Sequence, residues 1–573
     1  MTTLIPKFDL KNGGSTPTGA VNRAINLKLA ETISVKDFGA TGDGTTDDTT
    51  AIQNCLNSFT QSTGGGTIYF PAGTYIISAS LIVDVNGMTL IGTKGSTWIK
   101  RKNGVAGGTM NLLQTGYQGR YTPGATIYDF TMIGMGFDGN KANNTVGVDD
   151  NFDEGVSLLY AARCYIADCY IKNVLRIGIA LSTQANDSIV TGCVVEDCNE
   201  GGIYAEVSSN IKFIGNTVKN SSTSTYNIGN ICFNQVTSGS ISSNNVASGQ
   251  DGIYIRNAST DIAITGNTIT GQARYGIWIY DESQGVTPAT PKRINVVGNS
   301  ISSCSNYPVY CLFANNINIS NNTIDCASFA TGIFFNNNAN INVLSNNIQN
   351  ISTTASPVTT GTISAGSNSL TIASATLFPN AANGSYIYLN GAGVAGGSLF
   401  AQIVSGGGTT TLVLDRYAQT SITSNSVTCL PVTCGAGNTN VQISGVTGTY
   451  TPVAIGLTTA GTFAGTSSGV WTMIGDRVIF DATVTQTTNT SGAGQAAITL
   501  PIQINASANG TFSIACSNTS YTGNAVSTPA YSASVPAGYS VAKVGVVSSG
   551  TQSNLTIPAG TATYLISGEY QIA

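Results

Sequence analysis

The chain has 573 residues, of which 9% are charged, against roughly a quarter in an ordinary soluble domain, and its net charge is −5. That balance argues against nucleic acid or an anionic membrane as partner, and no apolar run reaches the roughly 18 residues that would span a bilayer. Histidine is absent, which excludes Ser-His-Asp and Cys-His nucleophiles, histidine zinc sites and histidine acid–base catalysis, and leaves proton chemistry to carboxylates, Tyr, Lys, Arg or Cys.

Residues 1–31 are short, polar and Gly-containing, with no apolar stretch that reads as a secretory h-region; Val21, Ile25, Leu27 and Leu29 could form part of a small helix. This segment reads as an attachment peptide or neck, or as a fraying tail. In 32–80 a strand leads into a Gly/Asp loop, Asp47 or Asp48 caps a helix from about 48 to 59, and Gly64–Gly66 turn the chain into a strand broken at Pro71-Ala72-Gly73. Such a helix would shield the open end of a stacked fold.

The run VKDFGATGDGTTDDTTAIQ, followed by GGGTIYFPAGTY, resembles the opening of the pectate-lyase-like β-helices of bacteriophage tailspikes. The leader LIPKFDLKNGG with LAETISVKDFGA is similar to those of capsule-degrading tailspikes. The resemblance is close over 1–80 and continues to about 350 in repeat style. It implies a right-handed β-helix in a homotrimeric spike on the virion tail, binding and cleaving a bacterial surface polysaccharide. Residues 1–31 are shorter than the head-binding domain of many such spikes, so docking onto another tail or fibre protein is the expected attachment.

Residues 79–154 are expected to form the first, less regular coils, with a basic cluster (Lys94, Lys100, Arg101, Lys102) and an acidic one (149–154) in solvated loops. From 155 to 350 one phrase recurs. It opens at Gly155, Gly178, Gly202, Asn230, Gly252, Gly276, Pro308 and Gly332, in steps of 23, 24, 28, 22, 24, 32 and 24 residues, a solenoid period. Apolar residues alternate within each unit, the signature of strands. A second phrase places Cys169, Cys193, Asn216, Asn244, Asn267, Asn299, Asn322 and Asn346 in one column. A stack of such units forms a parallel β-helix, because each unit buries its apolar face only against its neighbours. Asn suits the column: it tolerates the left-handed turn, and its amide can bond to the same amide one coil away.

The fold class is therefore all-β: a β-helix over 81–354, carrying the chemistry, with an N-terminal capping helix and C-terminal β-sandwich modules. Residues 355–430 read as an inserted, β-sandwich-like carbohydrate-binding module, and 431–449 as a last coil, since NTNVQISG echoes the second phrase. Residues 450–573 read as a further sandwich; it resembles the lectin-like or trimer-holding modules at tailspike C-termini. The twelve cysteines form no metal-like cluster and are read as small buried hydrophobes, Cys429 and Cys434 being a possible pair. No cofactor or metal is expected.

Acids are scarce after Asp325, so a catalytic pair within one chain should lie between about 129 and 282. The residue after the inward Ile of each opening phrase points outward. That column reads Ser157, Ala180, Tyr204, Cys232, Tyr254, Trp278, Tyr310, Phe334, and the next outward one holds Glu206, Asn234, Arg256 and Tyr280. Rings on a solvated face suit sugar stacking or contact between subunits. The turns at 219–229 and 281–293 would wall such a groove. In the bend before the phrase stand Asp153, Glu154, Arg176, Glu200, Asp251 and Arg274. Glycoside hydrolysis needs two carboxyls, and Glu200 and Asp251, two coils apart, should be about 10 Å apart, near the inverting spacing. Glu206 would need a partner such as Asp281 or Glu282, or one from another subunit. The expected catalytic set is thus Glu200, Asp251, Glu206, Asp281 and Glu282. The expected binding set is Tyr204, Tyr254, Arg256, Arg274, Trp278 and Tyr280, with Arg256 or Arg274 gripping an acidic sugar. Carboxylate-based glycoside hydrolysis is the leading expectation, with uronate β-elimination, for which Tyr254, Tyr280, Arg256 or Arg274 could serve, and a glycan-binding adhesin without enzymatic activity as the alternatives.

Overall fold

Each repeat of the sequence becomes one coil of three short strands, such as Ile177–Ser182, Ile189–Thr191 and Val194–Glu196. The next coil, with Gly201–Ser209, Lys212–Ile214 and Thr217–Lys219, pairs with it strand for strand and in parallel. The computed structural model describes residues 32–115, 126–147, 152–222, 228–282, 290–326, 332–336 and 338–349, the pairs Lys7–Phe8 and Arg23–Ala24, and, between 359 and 571, chiefly the strands. Residues 23–24, expected near a short helix, instead pair antiparallel with 7–8; the rest of the N-terminal segment lies outside the described residues. The chain divides into two units, Met1–Ile262 and Ala263–Ala573.

In the first unit the cap helix is Thr49–Leu56, shorter than the span expected from sequence, with Ile52, Cys55 and Leu56 buried. Asp48 holds the N-cap position but makes no side-chain cap. It is buried and turned back, accepting from Thr41 N (2.7 Å), Thr41 Oγ1 (3.1 Å) and Gly42 N (3.1 Å), which ties down the glycine loop. Asp47 instead takes the first helical N–H, from Thr49 (3.2 Å). Burial alone would raise the Asp47 carboxyl, but hydrogen bonds from Ser78, Thr49 and Lys102 outweigh it and hold its pKa at about 2. A depressed pKa stabilises the folded cap above the ordinary value of 3.8, and the contribution fades as pH falls through about 2. Asp47→Asn is expected to flatten the acid dependence of Tm in that window, by no more than about 1 kcal/mol at so exposed a site.

The coils fill their interior with the inward alternates: Ile166, Ile171, Ile179, Leu181, Val190, Val195, Phe213 and Ile231 have no exposed surface. Corners need a left-handed residue, and the sequence supplies it one place before the Asn column rather than in it. Asp168, Gly192, Gly215 and Ser243 have φ of 55, 62, 64 and 56°. The column itself is hydrogen-bonded along the stack: Cys193 N donates to Asn216 Oδ1 (2.9 Å), and Asn216 N and Nδ2 donate to Asn244 Oδ1 (2.9 and 3.0 Å).

Of the basic cluster Lys94 and Lys102 stay solvated, 67% and 52% exposed, but Arg101 does not. Thr97–Arg101 is a strand, and Arg101 turns inward to bond Asp153 at 2.7 Å, the two side chains 3% and 0% exposed. Asp153 also accepts the backbone N–H of Gly108 and Gly147, both at 2.7 Å, so one buried ion pair clasps two loops. Glu154 is buried too, while 149–151 of the acidic run lie outside the described residues. Arg101→Met would strand the Asp153 charge and is expected to cost about 3 kcal/mol, measurable as a drop in denaturant midpoint.

In the second unit the ladder continues through Asn267, Asn299, Asn322 and Asn346, each amide donating to the next Oδ1 at 2.8–2.9 Å. After Asn347–Gln349 the strands from Thr359–Ile363 to Ile422–Cys429 form an antiparallel six-stranded barrel that closes on itself rather than two separate layers. It has its own core, including Leu370, Ile387, Leu389, Ile403 and Leu412. The chain then resumes the coil: Val432–Cys434, Thr439–Ser444 and Val446–Tyr450 pair in parallel with 333–335, 339–344 and 347–348. Beyond it the strands are antiparallel, the longest being the hairpin Thr462–Ile474 with Arg477–Thr490. The described cysteines are free and buried; the side chains of Cys429 and Cys434 lie outside the described residues.

Candidate polysaccharide-binding face

In the first unit the pairing register sets Ser182, Glu206, Asn234 and Arg256 side by side on successive coils, and Ala180, Tyr204, Cys232 and Tyr254 in the adjacent column. Asn234 links the two columns. Its Nδ2 reaches Glu206 Oε1 at 2.9 Å and the Tyr204 hydroxyl at 3.1 Å, and its Oδ1 accepts from Asn257 Nδ2 at 2.8 Å. The Arg256 guanidinium carbon lies 5.4 Å from the centre of the Tyr254 ring. Glu206, Arg256 and Asn257 are half-buried, at the edge of solvent. Burial, reinforced by the Glu206 charge, pushes the Tyr204 hydroxyl well above its ordinary range, so it stays protonated.

The other expected acids are placed differently. Glu200 accepts from Arg176 Nε at 2.8 Å, with the pair only 5% and 12% exposed, so it sits in a buried ion pair between neighbouring coils. Asp251 is fully covered; its backbone carbonyl takes the Asn230 N–H at 2.9 Å. The register puts Asp251 beside Gly229 and Gly201, one residue along the coil from Glu200 and five from Glu206. In the second unit Asp281 is fully buried and Glu282 is exposed.

The ring column is not the open, solvated face expected from alternation. Tyr204 and Tyr254 are 6% and 1% exposed, and Tyr310 and Phe334 7% and 2%. Alternation fixes which side chains leave the core, but not what then covers them. In the second unit the cover is aromatic: Tyr275 and Tyr307, in the bend before the phrase, stack at 6.2 Å and 6° and flank Tyr310 at 4.8 and 5.4 Å. Their common position just before the phrase was a legible signal, missed because only charges were sought in the bend. Trp278 stays partly exposed, parallel to Tyr280 at 5.2 Å and 8°, with the Arg274 guanidinium carbon 4.5 Å from its ring centre. The turn residues 223–227 and 283–289, expected to wall a groove, lie outside the described residues.

Three families match parts of the chain. The rhamnogalacturonase A/epimerase, pectate lyase-like family matches residues 32–130, and the right-handed β-helix region family matches 229–399. The periplasmic copper-binding protein (NosD) family matches 101–288. The solenoid is a right-handed parallel β-helix. This β-helix is similar to the mannuronan C5-epimerase AlgE5 of Azotobacter vinelandii, 30% identical over 264 residues, covering 42% of this chain and 24% of the relative. Alginate lyase 7 of the same organism is 30% identical over 215 residues, covering 36% and 23%. The chain thus spans about a quarter of the length of these curated relatives. Among solved structures, the Dettilon tailspike protein is similar over 95% of both chains at 14% identity, with a TM-score of 0.42. The residues do not fit the copper of the NosD name: histidine is absent, and among the described residues no three His, Cys, Asp or Glu side chains converge on a metal position.

Proposed function

We propose that this protein is a polysaccharide depolymerase of a phage tail spike, and that it cleaves an acidic bacterial surface polysaccharide at the Glu206 cluster. The observation that carries the reading is the column Glu206, Asn234, Arg256 beside the protonated Tyr204: one carboxylate at the solvent edge, a neutral amide network that orients it, and a guanidinium two positions along the column, across Asn234. Assembly as a homotrimer and attachment to another tail or fibre protein through residues 1–31 belong to the same proposal, supported by the leader and the VKDFGA motif.

The geometry favours β-elimination over hydrolysis. Hydrolysis needs a second carboxyl at roughly 5 to 9.5 Å. In the first unit Glu200 is committed to Arg176 and Asp251 is covered. Elimination needs one base and a cation. Glu206 would remove the proton α to a uronate carboxylate, while Arg256 neutralises that carboxylate. The electron pair left behind forms the C4–C5 double bond, and the glycosidic C4–O bond breaks, its oxygen leaving with a proton from solvent. The relatives that act, by their names, on mannuronan and alginate support a uronate polymer as substrate.

The experiment is depolymerisation of a panel of capsular polysaccharides and polymannuronate by the purified chain. Falling viscosity with ultraviolet-absorbing, unsaturated ends is the expected result. New reducing ends without that absorbance would sink elimination in favour of hydrolysis. Binding without any cleavage would make the protein an adhesin.

A further inference from the structure

A different outer face of the same coils carries a second cluster. The strands Thr97–Arg101, Gly136–Asp138, Tyr170–Lys172, Val194–Glu196 and Thr217–Lys219 lie in register. They align Trp98, Gly136, Tyr170, Val194 and Thr217 in one outward column and Lys100, Asp138, Lys172, Glu196 and Lys219 in the next. Gly136 leaves the gap that lets the rings meet. A Cβ there would lie 2.8 Å from the Trp98 ring, and without it Trp98 and Tyr170 come to 5.2 Å across the intervening coil. Both rings are partly exposed.

The charges on this face are unevenly spent. Glu196 takes Lys219 at 2.7 Å and the Tyr170 hydroxyl. Asp138 takes the Asn140 N–H at 2.9 Å and Asn173 Nδ2 at 3.2 Å. Among the described residues, Lys100 and Lys172 make no salt bridge. Lys172 is held by rings instead, its Nζ 4.3 Å from the Trp98 centre and 5.7 Å from that of Tyr170. An ammonium fixed over an aromatic face keeps its charge and its N–H donors for an outside anion.

We propose that Trp98, Tyr170, Lys100 and Lys172 form a second binding site for acidic polysaccharide, separate from the Glu206 cluster. The ammoniums take sugar carboxylates and the exposed ring surface takes the sugar's C–H face. The site rests on the depolymerase reading only for the choice of a polyanionic glycan. Holding a long polymer here would raise its effective concentration at the cleaving face without touching the chemistry.

The test uses the full chain carrying Glu206→Gln, so that polymer is not consumed, with polymannuronate as probe and neutral dextran as control. Lys172→Gln and Trp98→Ala are each expected to weaken polymannuronate binding about five- to tenfold, the size of one charge-assisted contact, with dextran unbound throughout. In the otherwise native chain, Lys172→Gln should raise KM for the polymer and leave kcat on short oligosaccharides unchanged. The proposal falls if both variants bind like their parent, if the parent does not bind polymannuronate, or if Trp98→Ala changes only the oligomeric state. If the native chain cuts no polysaccharide of the panel while polymannuronate binding still depends on Trp98 and Lys172, the catalytic reading fails and this site stands.

Discussion

Glu206→Gln is expected to slow depolymerisation by about 10²- to 10⁴-fold, the usual contribution of a positioned acid or base. The substitution removes the charge and keeps the shape, and the glutamine oxygen can still accept the Asn234 amide that now reaches Glu206 at 2.9 Å. Binding of the polymer and Tm should therefore change little, and the loss should fall on kcat. Glu200→Gln makes the contrast. It breaks a pair with Arg176 whose side chains are 5% and 12% exposed, leaving a buried guanidinium without its carboxylate. Its effect should appear first in stability, and in activity only as the fold loosens. Measuring kcat, polymer binding and Tm for both variants separates a proton-transfer group from a structural one. Equal kcat for Glu206→Gln and the native chain would remove Glu206 from the chemistry.

Asn299→Ala is expected to destabilise the second unit by about 4 kcal/mol, because it removes four buried hydrogen bonds at about 1 kcal/mol each. Asn299 Oδ1 accepts from Asn267 N and Nδ2, both at 2.9 Å, while its own Nδ2 donates to Ile264 O and Asn322 Oδ1, also at 2.9 Å. Asn299 is 1% exposed, so water does not reach the groups left behind. Urea denaturation of the variant should show a midpoint shift far larger than that of a surface control such as Asn295→Ala, at an exposed strand position. A shift of under about 1 kcal/mol would mean that the ladder follows from the stack rather than holding it.

The β-helix was legible because its determinants repeat. The Asn column and the alternating Ile and Val positions recur every coil, so one reading is checked at each recurrence. The left-handed corner was displaced by one residue because its occupants share no chemistry: Asp168, Gly192, Gly215 and Ser243 adopt it at φ of 55 to 64°. Arg101 and Asp153 were misread as solvated because their pairing crosses 52 residues and belongs to no repeat. The candidate site was legible as columns. Register placed Glu206, Asn234 and Arg256 together, but the burial of Tyr204 and Tyr254 depends on neighbours that period-two alternation does not specify.

The most direct test is a crystal structure of the Glu206→Gln chain with a bound uronate oligosaccharide from its cognate polymer. The expected result is a sugar carboxylate against Arg256, with the adjacent carbon facing residue 206. An oligosaccharide seated elsewhere, with residue 206 and Arg256 untouched by sugar, would contradict it.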